Sequence, residues 1–427
     1  MTNTDTGNAH RGVPPLRDSV RAGERALAPD LARGVMLLLI VVSNTGFHLW
    51  AAPHGPSGWH PTDGSSVDRV AQFCQIMMLD LRVYPLFAFL LGYGMMQLFT
   101  RQTAAGVPAG AAVALLRRRS LWLVVFGFGH SALLLAGDIL SFYGVLSLVL
   151  GWLFLRRRDR TLLVWVGVFA ALAVADAADA LWAVATWDLG AVGAPAAQPS
   201  TDFYASGEED PVAAAGVRLR TWLFLAGAGA IAWPVSPHVV LAFWAARRRI
   251  LEQPAAHRRL LGWTAGVGIA VGWLGGLPAA LAHVGLLAAP PAAVAEDGAF
   301  GALHALTGTA GGVGYVAVFA LVAERLSRRG RRGPVVVAVT AVGKRSLSCY
   351  LAHSAIFAPV LAAWGLGWGA WFGSAGMVGF AVVVWSVTAV AAYAMEGAGR
   401  VGPAEALLRR LVYGRRPAGA VRDRNFT

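Results

Sequence analysis

The chain has 427 residues, of which 56% are hydrophobic and 14% charged, and its mean hydropathy is +0.56. That balance excludes an ordinary soluble domain and points to an all-α, polytopic integral membrane protein. The net charge of +13 does not mark a nucleic-acid binder, because the arginines stand in short clusters between apolar runs, where membrane topology accounts for them.

Residues 1–29 are polar and basic and lead into an apolar run without a small-residue cleavage pattern. They are expected to form a disordered tail before an uncleaved first helix. Helix 1 is predicted over about Leu31 to Trp50. The Pro-, Gly- and His-rich stretch from Ala51 to Ser66 reads as an outer loop. From Val67 a helical pattern runs to Arg101, interrupted by Asp80, Arg82 and Pro85. Its first half reads as amphipathic and interfacial, its second half as crossing helix 2. Asp80 and Arg82 either pair near the outer interface or Arg82 snorkels.

The stretch from Arg117 to Arg158 carries an arginine triplet at each end, with His130 and Asp138 between them. A single helix of that length exceeds a hydrocarbon core of about 30 Å, whereas two crossings fit, turning near Gly137-Asp138. Both triplets then lie on one side, which the positive-inside rule makes the cytoplasm. Helices 3 and 4 thus form a hairpin with a histidine and a carboxylate in its outer half. Intramembrane ionisable groups are costly, so both are functional candidates. Asp138 serves equally well as an N-cap of helix 4.

Helix 5 is predicted over about Thr161 to Thr186, followed by an acidic extracytoplasmic loop at 187–219. Helix 6 spans about Thr221 to Ala246, with Pro234 and Pro237 expected to kink it. Helix 7 follows the basic segment Arg247–Arg259, and helix 8 covers about Phe300 to Val322. Helix 9 passes through His353, with the apolar run from Pro334 to Val342 either its start or a separate cytoplasmic-face helix. Helix 10 covers about Gly373 to Met395. Ten crossings put every arginine-rich connection inside and the acidic loops outside. A transmembrane domain over 30–398 with a basic cytoplasmic tail at 399–427 follows, both termini being cytoplasmic. The two cysteines, Cys74 and Cys349, fall in apolar segments, so no disulfide framework is expected. His54, His60, His283 and Asp63 lack a metal-ligand spacing, and no metal is expected.

Three blocks resemble a known group. The first is Asp30-Leu-Ala-Arg33-Gly34, then Asn44, then Tyr84-Pro85-Leu-Phe87-Ala-Phe89-Leu-Leu-Gly92-Tyr-Gly94. The second is His130 with Gly137-Asp138-Ile139-Leu140 and Tyr143. The third is Gly343-Lys344-Arg345-Ser346 through Tyr350, His353 and Ser354, followed by Gly402-Pro403-Ala-Glu405-Ala-Leu-Leu408-Arg409. This pattern resembles the bacterial YeiB-like membrane proteins, the family called domain of unknown function 418. More distantly, Asp-x-x-Arg-Gly with Asn44 and Pro-x-Phe-x-Phe-x-x-Gly is similar to the lysosomal heparan-glucosaminide N-acetyltransferase and related transmembrane acyltransferases. This chain lacks a clear counterpart of that enzyme's catalytic histidine after helix 1, and it has His353 where the YeiB-like pattern usually has Gln.

The distant resemblance implies an acyl-coenzyme A-dependent acyltransferase in the plasma membrane. It would move an acyl group from a cytoplasmic donor to a hydroxyl or amine acceptor, a small molecule or glycan, at or across the bilayer. Arg33 with Asp30, and Lys344 with Arg345, would meet the nucleotide phosphates, for which guanidinium forks are well shaped. His130 or His353 would act as general base, with Asp138 orienting it and Asn44 donating to the oxyanion. Counted from their cytoplasmic arginines, Asn44, His130 and His353 fall at one depth. Arg82, Tyr143 and Tyr350 complete the candidate binding set. A homo-oligomer is compatible with these features. The competing expectation is a transporter or exporter using the buried titratable groups.

Overall fold

The computed structural model describes residues 26–57, 59–190, 201–231, 235–295, 297–330 and 332–414. The predicted disordered tail and part of the acidic loop therefore lie outside the described residues. Those described fold as helices, joined by turns and by one isolated bridge between His54 and Pro61.

Helix α1 (Leu27–Ser43) stops seven residues before the predicted end, and the chain tightens into a 3-10 turn over Asn44–His48. Helix α2 (Ser66–Met78) begins with a capping box in which Ser65 and Asp68 satisfy each other's backbone donors. The break expected within Val67–Arg101 falls at Leu79–Arg82, and α3 (Val83–Ala104) follows. Helix α4 (Ala109–Leu133) starts earlier than predicted, so Arg117–Arg119 lie inside the helix rather than before it. The hairpin turns at Leu134–Gly137 into α5 (Ile139–Phe154). Helices α6 (Asp159–Asp176) and α7 (Ala178–Thr186) are bent by 52° where one helix was expected.

The predicted helix 6 is divided into α8 (Pro211–Ile231) and α9 (Ser236–Arg247). Pro237 stands in the first turn of α9, where its missing N–H costs nothing, and Pro234 lies outside the described residues. Because α8 starts at Pro211, the end of the expected acidic loop is helical. Then come α10 (Arg258–His283), the short α11 (Pro291–Val294) and α12 (Ala299–Arg328). Helices α13 (Pro334–Lys344) and α14 (Ser346–Leu361) meet at an 89° elbow centred on Arg345. Helix α15 (Ser374–Gly397) is followed by α16 (Pro403–Tyr413), which lies within the predicted tail.

Among the described residues, five helices are long and apolar enough to cross a membrane, or up to seven if each bent pair is one span. The chain is thus built as a polytopic membrane protein. Its main core gathers α1, α3, α5, α9, α12 and α13 around Tyr93, Met95, Met96 and Phe243. Large apolar side chains point outward from α4, α6, α8, α10 and α15, as lipid-facing helices require. Where backbones approach most closely, glycine makes room. A Cβ on Gly34 would collide with the carbonyl of Val339, and one on Gly343 with that of Asp30. Those two positions lock α1 against α13 beside the elbow.

Candidate functional site

The α4–α5 hairpin builds the first polar centre. His130 lies in the last turn of α4, and Asp138 is the N-cap of α5. The Asp138 carboxylate accepts hydrogen bonds from the backbone N–H of Leu140 at 3.1 Å and Ser141 at 2.7 Å. His130 Nδ1 lies 3.0 Å from Oδ1 of the same carboxylate, and both side chains are wholly buried. The cap and the dyad are therefore one arrangement. An ionised carboxylate only accepts, so Nδ1 carries the proton. Nε2 is left buried, with no partner among the described residues. Gly127 permits this approach, since a Cβ there would collide with Asp138 and Ser141.

The His130 ring lies 5.0 Å from that of Tyr350, centroid to centroid. Tyr350 belongs in turn to the wall of a cavity of about 20 Å³, together with Asn44, His48, His353, Ser354 and Leu134. This volume holds one or two waters. The structure places Asn44 and His353 on one cavity, with His130 behind Tyr350. His353 Nε2 is 2.8 Å from Thr388 Oγ1, whose own proton goes to the Trp385 carbonyl. Nε2 is then the donor and Nδ1 bears the lone pair. Sequence reasoning did not assign His48 to the cavity. It stands four residues after Asn44, one helical turn on, and that spacing was the available signal.

A second polar centre lies where the chain passes from α2 to α3. Asp80 accepts from Ser43 Oγ at 2.9 Å, and its other oxygen is 2.6 Å from His60 Nε2. Burial alone would raise this carboxyl. The neighbouring His60 and the Ser43 hydroxyl outweigh that and hold it below its ordinary value. Leu81 takes a left-handed conformation at φ 60°, which costs a non-glycine residue strain.

Arg82 neither snorkels nor pairs with the Asp80 carboxylate. It is completely buried, donating to the carbonyls of Ile76 at 3.3 Å, Asp80 at 2.5 Å and Gly272, and to His304 Nε2. Gly276 and Gly311 leave the space it fills. Because Arg82 always donates, His304 Nε2 must accept, which fixes a neutral tautomer. His283 is fixed likewise, between Ser57 and the Pro61 carbonyl. Arg82 is therefore an internal brace rather than a residue exposed to substrate. Tyr143 is also away from the cavity, its hydroxyl donating to the Tyr84 carbonyl at 2.9 Å.

The third centre is at the arginine-rich end. Arg33 pairs with Asp30 at 3.2 Å, one turn back, and Arg119 lies beside it. Lys344 and Arg345 do not point to a common open funnel with Arg33. Both engage Glu396, Arg345 at 2.8 Å, and Arg345 also holds the Arg400 carbonyl at 2.6 Å. Glu405 accepts from the N–H groups of Leu347 at 2.8 Å and Ser348 at 3.2 Å, capping α14 from another helix. That explains the Gly-Pro-x-Glu spacing: a Cβ on Gly402 would strike the Glu405 carboxylate. Among the described residues no three metal-binding side chains converge.

Residues 245–415 match the family described as "Protein of unknown function (DUF418)". This part of the chain is similar to that family. The matched region carries α10 to α16, and hence His353, Tyr350 and the Glu405 cap. A curated relative, "Uncharacterized protein YxaH" of Bacillus subtilis (strain 168), is 30% identical over 146 residues. The match covers 33% of this chain and 35% of the relative, so about a third of the relative's length is spanned. No solved structure matches the chain.

Proposed function

We propose that the protein is a multi-pass plasma-membrane acyltransferase that uses a cytoplasmic acyl-coenzyme A as donor. The observation that carries this reading is the buried His130–Asp138 dyad, with Nδ1 fixed on the carboxylate and Nε2 left over behind Tyr350, whose other side lines a small cavity. A neutral imidazole so oriented is a general base. Nε2 takes the proton of an acceptor hydroxyl or amine as that group attacks the thioester carbonyl. The carbon–sulfur bond then breaks, and His130 returns the proton to the thiolate. Asn44, on the cavity beyond Tyr350, donates to the developing oxyanion. His353 presents an accepting Nδ1 and contacts the acceptor. Arg33 and Arg119 attract the donor phosphates at the arginine-rich end, whereas Lys344 and Arg345 hold the elbow through Glu396.

In this reading ten crossings put the arginine-rich end in the cytoplasm. Alkaline-phosphatase fusions at Ser200 are then active, and those at Gly110, Gln253 and Ala420 inactive. The deciding experiment is thermal stabilisation of the detergent-solubilised chain by coenzyme A, with Arg33→Lys for comparison. Stabilisation that Arg33→Lys weakens is expected, since lysine keeps the charge but loses the bidentate contact. No stabilisation of folded protein at millimolar ligand would transfer the assignment to a carrier. That second reading has its own support in the bends of 52° and 89°, because helices broken within a span are a transporter device.

A further inference from the structure

Helix α16 presents two unlike faces. Inward, Glu405 caps the start of α14, and Ser348 Oγ in turn accepts from the Ala404 N–H at 3.0 Å. Outward, Arg409 and Arg410 are exposed beside Leu407, and Arg400 and Val401 are exposed just before the helix. The neighbouring α4 adds exposed Arg117 and Arg118, directly before Arg119, which lies beside Tyr413. None of these five outward arginines forms a side-chain hydrogen bond or ion pair among the described residues. The one acid of α16 is turned away from them.

The surface beyond the patch says what covers it. On α4 the exposed side continues from Arg117 and Arg118 into Leu121, Val125 and Phe128 at helical spacing. Cations therefore give way to a lipid-facing apolar stripe within one turn, which is the level of phospholipid headgroups. A single-sign patch at that level repels itself unless anions are supplied. Guanidinium groups bind phosphate oxygens in pairs, and juxtamembrane arginine clusters recognise anionic lipid.

We infer that the α4–α16 patch binds the headgroups of anionic phospholipids, and that this seats α16 so that Glu405 holds the first turn of α14. The consequence reaches the cavity, because Tyr350 and His353 follow that turn on the same helix. Lipid composition thus sets how firmly the cavity wall is anchored.

The test places the full chain in nanodiscs of phosphatidylcholine alone, or with phosphatidylglycerol added, at fixed ionic strength. Hydrogen exchange is followed at the amides of Leu347 and Ser348. Phosphatidylglycerol is expected to slow their exchange severalfold. The Arg409→Gln/Arg410→Gln chain should lose this lipid response while exchanging elsewhere like the parent. Glu405→Gln should exchange fast at these amides in both bilayers, separating the cap from the patch. Equal exchange of the parent chain in the two bilayers overturns the inference. So does an undiminished lipid response after Arg117, Arg118, Arg409 and Arg410 are all changed to Gln. Inorganic phosphate reproducing the effect in phosphatidylcholine would equally overturn it, by making the site one for free anions.

Discussion

Two regions of this molecule hold an imidazole on a carboxylate, and they differ in what is left over. At His130–Asp138 the carboxylate caps a helix, the imidazole has one fixed nitrogen, and the other is buried without a partner. At His60–Asp80 the carboxylate is also bound by Ser43, and the side chains are 7% and 21% exposed. The surrounding His283 and His304 have both chemistry and tautomer settled by fixed partners. The first centre keeps an unused proton acceptor behind the cavity wall formed by Tyr350, which acid–base chemistry needs. The second spends its polar groups on holding a strained break between α2 and α3 against α10 and α12. A dyad is therefore diagnostic only together with what surrounds it.

The sharpest way to break this contrast is a pair of substitutions. His130→Ala should lower acyl transfer by about 10²–10⁴-fold, the usual worth of a positioned base, while Asp138 goes on capping α5. His60→Ala should instead lower the melting temperature and leave transfer by the folded fraction nearly unchanged. Transfer to hydroxylamine, read as hydroxamate, measures both. If His60→Ala abolishes transfer in well-folded protein, the division of labour is wrong.

Asp138→Asn sharpens the first centre. Asparagine caps about as well as aspartate, so stability should change by less than about 1 kcal/mol. Transfer should still fall by about a hundredfold, because the amide no longer favours the productive tautomer and protonated imidazole. Unchanged transfer would reduce Asp138 to its capping role.

Gly276→Ala sharpens the second centre. The added methyl meets the Arg82 guanidinium in a packed seam, an overpacking that costs about 1–3 kcal/mol. Thermal unfolding in detergent should register it, with coenzyme A binding intact.

The smallest expected effect is on pH. The Asp80 carboxyl is held below its ordinary value of 3.8 in the folded state. Its contribution to stability is therefore complete above about pH 4 and is lost only as pH falls through the folded value. Melting temperatures followed downward from pH 5 should decline less steeply in Ser43→Ala, which removes one of the interactions depressing Asp80.

Much of the first centre was legible in the chain because its members are close in sequence. His130 and Asp138 are eight residues apart across a predicted turn, so local geometry nearly imposes their contact. The amphipathic first half of Val67–Arg101 and the break near Asp80 were legible too, from periodicity and from charges in an apolar run. The fate of Arg82 was not, because the glycines that make room for it lie about two hundred residues away, on α10 and α12. Lys344 and Arg345 read as a phosphate site because their partner, Glu396, belongs to another helix.

By itself, the sequence determined that the chain is helical and membrane-embedded, since uninterrupted apolar runs can satisfy their backbone groups in lipid only within helices. It also determined the hairpin and the dyad within it, through turn chemistry and short spacing. Only the tertiary structure decided which polar groups remain available, because that depends on partners brought in by packing. Thr388 fixes the tautomer of His353, Glu396 neutralises Lys344 and Arg345, Glu405 caps α14, and nothing among the described residues takes His130 Nε2.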